Sequence, residues 1–143
     1  MLRRQLLTAL ITTRPFLKRR YLSSGAALSE DEYEKLAIET LGKLADYLDS
    51  FPDKFNCAEE YYVNSSMGVV TAKISQKTGT YVINKQTPNR QIWLSSPLSG
   101  PKRFDLVGKK WISTRDDVSL DTLLNNEFRK IFQTEKIDFS EYL

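Results

Sequence analysis

The chain has 143 residues, 41% hydrophobic and 27% charged, a balance that suits one compact domain with a modest core rather than two. It contains no histidine and a single cysteine, Cys57. Imidazole general bases, Ser-His-Asp triads, His-ligated zinc or haem, intramolecular disulfides and metal sites built from several cysteines of this chain are therefore excluded. The formal charge of +3 is divided unevenly: residues 1–24 carry +6 without one acid, residues 28–60 carry −7, and residues 61–143 carry +4. Charge segregated in this way points to electrostatic recognition, with an acidic surface distinct from a mildly basic one. No apolar run approaches the roughly 18 residues of a membrane span.

The opening stretch reads as an address. Residues 1–24 are rich in Arg, Ser and Thr and can form a short amphipathic helix, the description of a mitochondrial transit peptide. Lys18, Arg19 and Arg20 follow the apolar stretch and Pro15 interrupts it, which argues against a secretory signal. Arg20-Tyr21-Leu22 before Ser23-Ser24 resembles a matrix-processing site. The expected organisation is a transit peptide over 1–22, a short linker over 23–27 and one domain over 28–143, working in the mitochondrial matrix.

Ser29 followed by Glu32 is a capping box that opens a helix. Apolar residues recur at Tyr33, Leu36, Ala37, Leu41, Leu44, Leu48 and Phe51, and Pro52 predicts the end of the helix near Phe51. From about Glu60 the period becomes two. Strands are expected around Val63, over Val69–Ile74, Thr80–Ile83, Gln91–Leu94, Lys102–Val107 and Lys110–Thr114. Turn signals stand at Ser65-Ser66, Lys77-Thr78-Gly79, Pro88-Asn89 and Ser99-Gly100-Pro101. A second helix has Ser119 as N-cap and an apolar stripe of Leu120, Leu123, Leu124, Phe128, Ile131 and Phe132. Tight turns make the strands antiparallel, and two helices with one stripe each must share one sheet face. The expected fold is α+β, a two-layer α/β sandwich with two helices on an antiparallel sheet of five to seven strands.

Two constellations can carry chemistry. The first helix and its extension present an acidic ridge, in which Asp46 and Asp49 lie three apart and Asp53 follows four beyond. Carboxylates suit hard cations such as iron, manganese, magnesium or calcium, and like charges at helical spacing are mildly destabilising without some such reason. A plain solvated helix face is the alternative. The second constellation is the strand Gln91-Ile92-Trp93-Leu94. Alternation puts Ile92 and Leu94 under the helices and Trp93 outward beside Gln91, where an indole ringed by Asn, Gln and Arg has the character of a protein-binding hot spot; a Trp93 that is simply core is the alternative. A net acidic processed chain opposes a nucleic-acid partner. Gly100-Pro101-Lys102-Arg103 lacks the spacing of a phosphate loop. Cys57 is expected to be inert, its thiol raised by Glu59 and Glu60.

The segment from Gly79 to Asp105, GTYVINKQTPNRQIWLSSPLSGPKRFD, resembles the signature sheet of the frataxin family, and a looser resemblance covers about Leu28 to Phe132. The resemblance implies a monomer, able to oligomerise with iron, that docks on a mitochondrial cysteine desulfurase, its accessory subunits and the iron–sulfur scaffold protein. There it would promote persulfide transfer and iron delivery. It places docking on Asn84, Lys85, Gln86, Gln91, Trp93 and Arg103. It places weakly bound Fe(II) or Fe(III) on Asp31, Glu34, Glu39, Asp46, Asp49 and Asp53, with Glu59 and Glu60 on the first strand. Ile38, Gly42 and Tyr62 stand where relatives often carry acids, Arg115 and Asp121 where some carry histidine, and Leu106 where a second exposed Trp is found. These departures thin the metal site and spare the docking face. A regulator of sulfur transfer is therefore favoured over an alternative, a ferroxidase and iron store.

Overall fold

A computed structural model describes residues 28–143; the expected transit peptide and linker lie outside the described residues. Helix α1 (Glu30–Asp49) begins as predicted: Glu32 N donates to Ser29 Oγ at 3.2 Å and Ser29 N donates to Glu32 Oε2 at 3.0 Å. Glu30, Asp31 and Glu32 also complement the positive end of the helix dipole. Its buried face is Tyr33, Ala37, Leu41, Leu44, Ala45, Tyr47 and Leu48. Leu36, expected in the stripe, is 38% exposed because it lies at the margin of the arc that these residues define. The helix stops at Asp49, two residues before the expected end. Pro52 instead sits in the first turn of a short helix α2 (Phe51–Lys54), where its missing amide proton costs nothing.

Six strands follow: β1 (Tyr62–Ser66), β2 (Val69–Ser75), β3 (Gly79–Gln86), β4 (Gln91–Ser96), β5 (Gly100–Val107) and β6 (Lys110–Ser113). They pair in sequential order and every pair is antiparallel. The first hairpin turns at Met67-Gly68 rather than at Ser65-Ser66, which pair within β1. Both turn residues have positive φ, 51° and 75°, the geometry that matches strand twist in a two-residue hairpin. At Gly79 φ is 103°, and a Cβ there would lie 2.9 Å from Pro97 Cβ, so only glycine lets β3 pass the β4–β5 turn.

Helix α3 (Leu120–Phe132) is capped by Ser119, whose Oγ accepts from Thr122 N at 3.4 Å. Its stripe and that of α1 cover one sheet face, burying Val70, Ala72, Ile74, Tyr81, Ile83, Ile92, Leu94, Phe104 and Trp111. The architecture is the expected two-layer α+β sandwich. Two features were not anticipated. Glu127 is buried in α3, accepting from Tyr81 OH at 2.7 Å and Ser96 Oγ at 2.6 Å, while Ser96 Oγ accepts the Leu98 and Ser99 amides at 3.0 Å. Burial and the neighbouring Glu127 carboxylate push the Tyr81 hydroxyl far above its usual range. The segment after α3 also enters the core, with Ile137 and Phe139 fully buried and Tyr142 stacked on Tyr47 at 4.1 Å.

Gly42 lies exposed within α1, and a Cβ there would meet nothing within 4 Å. Gly42→Ala is expected to raise stability by about 0.5–1 kcal/mol in urea unfolding, since only backbone entropy is at stake. A destabilised variant would contradict the open helix surface at that position.

Candidate functional site

The sheet face turned away from the helices is organised by register. Asn84, Trp93 and Arg103 are direct cross-strand neighbours on β3, β4 and β5, and Gln86, Gln91 and Asp105 form the next row. Because side chains alternate, these six point outward while Ile83, Ile92, Leu94 and Phe104 point into the core. Trp93 is half-buried, not core. Its Nε1 donates to Gln91 Oε1 at 2.9 Å, and the Arg103 guanidinium lies 4.6 Å from the ring centroid. Beside it a shallow concavity of about 450 Å³ is lined by Val82, Trp93, Ser95, Pro101, Arg103 and Arg115, among others. An apolar floor with guanidinium groups at its rim can take an apolar anchor flanked by carboxylate or carbonyl oxygens.

Of the expected docking residues, five share this face and Lys85 does not. Its register partner is the buried Ile92, and its Nζ binds Glu34 Oε2 of α1 at 2.5 Å. The same period-two reading that exposes Trp93 puts Lys85 on the helix side. Val82 and Asp105 carry no signal in the sequence reading, and Arg115 enters it only as a place where some relatives carry histidine. Asp105 was accessible to the same alternation, being two residues beyond Arg103.

The acidic residues are less uniform than their spacing implies. Glu34 also accepts a hydrogen bond from Thr87 Oγ1, and the bonds from Lys85 and Thr87 hold its carboxyl below the usual range. Glu39 is paired with Lys43 at 2.6 Å and is likewise lowered, and Glu60 is lowered by the Gln76 amide at 2.7 Å. Asp31, Asp46, Asp49, Asp53 and Glu59 are exposed, with no ion-pair partner among the described residues. Asp46 and Asp49 stand in the last turn of α1, which holds no basic residue, against the negative end of the helix dipole. The donors are hard oxygens, which fit iron in kind. Among the described residues no three or more of Asp, Glu, His and Cys are grouped to hold one ion. The chemistry such a surface offers is therefore binding by one or two carboxylates with ready exchange.

Two other sites are accounted for by structure. Asp121, which stands where the resemblance puts histidine in some relatives, is buried, which raises its pKa. The bond from Lys110 at 2.7 Å and that from Ser119 outweigh burial and hold it below the usual range. The Cys57 thiol is raised as expected, but the cause is burial rather than Glu59 and Glu60.

A sequential six-stranded antiparallel sheet, covered on one face by two helices of which the first is acidic and open on the other, defines a class of small α+β sandwich. Known proteins of this class match the chain closely. The family profile described as the frataxin-like domain matches residues 26–134. Mitochondrial frataxin of Caenorhabditis elegans is 50% identical over 129 residues, covering 90% of this chain and 93% of that protein. A yeast frataxin structure superposes with a TM-score of 0.62 at 43% identity, covering 72% of this chain and 82% of the other. A trimeric Saccharomyces cerevisiae frataxin complexed with ferrous iron gives 0.55 at 40% identity, covering 79% and 94%. The chain belongs to the frataxin family.

Proposed function

We propose that this chain is a non-enzymatic regulator of mitochondrial iron–sulfur cluster assembly. It docks on a cysteine desulfurase–scaffold complex through the outward face of β3, β4 and β5, and promotes persulfide sulfur transfer there. The observation that carries the reading is Trp93, an indole turned away from the core and fixed between Gln91 and Arg103. Exposing part of an indole brings no folding gain, so a partner that covers it is the simplest physical reason for the arrangement. Family membership supports the same reading, and relatives named mitochondrial, together with the acid-free leader, support a matrix location after loss of residues 1–22. The test is titration calorimetry of the chain against the purified desulfurase–scaffold complex. Saturable binding is expected, and its absence with a folded protein would refute the reading.

Iron on the ridge is read as exchanging cargo, held by one or two at a time of Asp46, Asp49 and Asp53, with the other ridge carboxylates weaker contributors. The adverse placement of Asp46 and Asp49 at the C-terminal end of α1 supports this, because a bound cation would offset the dipole. Replacing the three with Asn or Ala is expected to weaken Fe(II) binding and to raise stability by a few tenths of a kcal/mol or more. An unchanged iron titration in the folded triple variant would remove them as ligands. The ferrous-complexed yeast trimer keeps a second reading in view, an oligomer that oxidises and stores iron on the same carboxylates. Oxygen consumption on adding Fe(II), abolished by the triple substitution, would favour it.

A further inference from the structure

One carboxylate in the row beside Trp93 has no part in the docking proposed above. Asp105 lies opposite Gln91 in the β4–β5 register and faces outward with it. Its Oδ1 accepts from Gln91 Nε2 at 2.9 Å, and Gln91 Oε1 accepts from Trp93 Nε1 at 2.9 Å. The polarity of this relay follows from chemistry. A carboxylate oxygen accepts, an indole N–H can only donate, and a primary amide satisfies both when its NH2 faces Asp105 and its oxygen faces Trp93. The two faces of the Gln91 amide are thus not interchangeable: turned over, it would set oxygen against oxygen and N–H against N–H. The backbone beneath is fixed as well. Tyr33 of α1 donates its hydroxyl proton to Gln91 O at 2.6 Å and accepts from Gln86 N at 2.9 Å. Arg103 then lies over the ring.

We infer that Asp105 is a positioning residue. Through the Gln91 amide it fixes the Trp93 indole in the orientation in which it lines the concavity, so that less side-chain freedom is lost when a partner covers it. Its effect on affinity rests on the docking reading; its effect on the indole does not.

Two substitutions of similar shape separate this role from others. Asp105→Leu removes the acceptor, whereas Asp105→Asn retains one and removes the charge. In nitrogen-15-labelled full chain, the Trp93 Nε1–H resonance is identified by its loss in Trp93→Phe. The Trp111 resonance, bonded to Thr40 Oγ1 at 3.0 Å within the core, serves as internal reference. In Asp105→Leu the Trp93 resonance should move and exchange faster with solvent while that of Trp111 stays in place. Affinity for the desulfurase–scaffold complex should fall about two- to tenfold, the range set by ordering one side chain. Asp105→Asn should restore both, and Asp105→Ala gives the same readings as leucine if the leucine variant misfolds. An unmoved Trp93 resonance in the acceptor-free variants would overturn the proposal. So would an asparagine variant that keeps the resonance yet binds as poorly as leucine, since the charge would then touch the partner directly. A moved resonance with full affinity would likewise overturn it. If the wild-type chain fails to bind the complex, the docking reading fails, while the resonance comparison still decides the relay.

Discussion

Replacing Trp93 with alanine should weaken binding to the desulfurase–scaffold complex by about 2 kcal/mol or more, roughly thirtyfold, while leaving the domain folded. The indole occupies the centre of the outward rows, held by Gln91 and covered on one side by Arg103. Within the free protein it contributes one hydrogen bond and one exposed cation–π contact, together worth about 1–2 kcal/mol. A fully buried tryptophan would cost about 3–5 kcal/mol on truncation. Urea unfolding and calorimetry on the same variant therefore separate the two roles. A loss of stability on the larger scale would place Trp93 in the core. A stable variant that binds normally would remove it from the docking face.

The opposite pattern is expected at Phe51. This side chain is fully buried at the corner between α1 and α2. It meets Tyr47 edge-on at 5.1 Å, Phe128 of α3 at 5.8 Å and Phe139 of the C-terminal segment at 6.1 Å. It therefore joins both helices to the segment that follows α3. Phe51→Ala should cost about 3–5 kcal/mol from lost burial and the residual cavity, a large fraction of the total stability of a domain this size. Urea unfolding measures it. A loss below about 1.5 kcal/mol would mean that the corner repacks and that the aromatic cluster is not the link between helices and tail.

The contrast between these residues reflects what a linear pattern can reveal. The capping box at Ser29, the outward turn of Trp93 and the α3 stripe were legible because each depends on local spacing alone. Leu36 was misplaced because a stripe has margins that only the packed sheet defines. The first turn was misplaced because Met67, in the left-handed region, carries no turn signal of its own, and the Ser65-Ser66 pair outweighed Gly68 beside it. The buried Glu127 and the C-terminal Phe139 escaped for a related reason: their partners, Tyr81 and Ser96 for the first and Phe51 for the second, are far away in sequence. At the site, charge spacing presented the ridge and the sheet as separate surfaces. The Glu34–Lys85 pair ties one ridge carboxylate to the end of β3 on the helix side of the sheet, away from the docking face. Alternation turned Gln91 and Trp93 outward, the rest of the docking set came from the family resemblance, and Asp105, two residues beyond Arg103, was open to the same alternation.

The central claim is that the sheet face, rather than the ridge, is what the assembly machinery uses. Sulfide production by the reconstituted desulfurase–scaffold complex, at fixed Fe(II), measures it for the wild-type chain, the Trp93→Ala variant and the Asp46, Asp49 and Asp53 triple variant. Stimulation by the wild type and the triple variant, with little by Trp93→Ala, is the predicted result. Full stimulation by Trp93→Ala together with loss in the triple variant would contradict it.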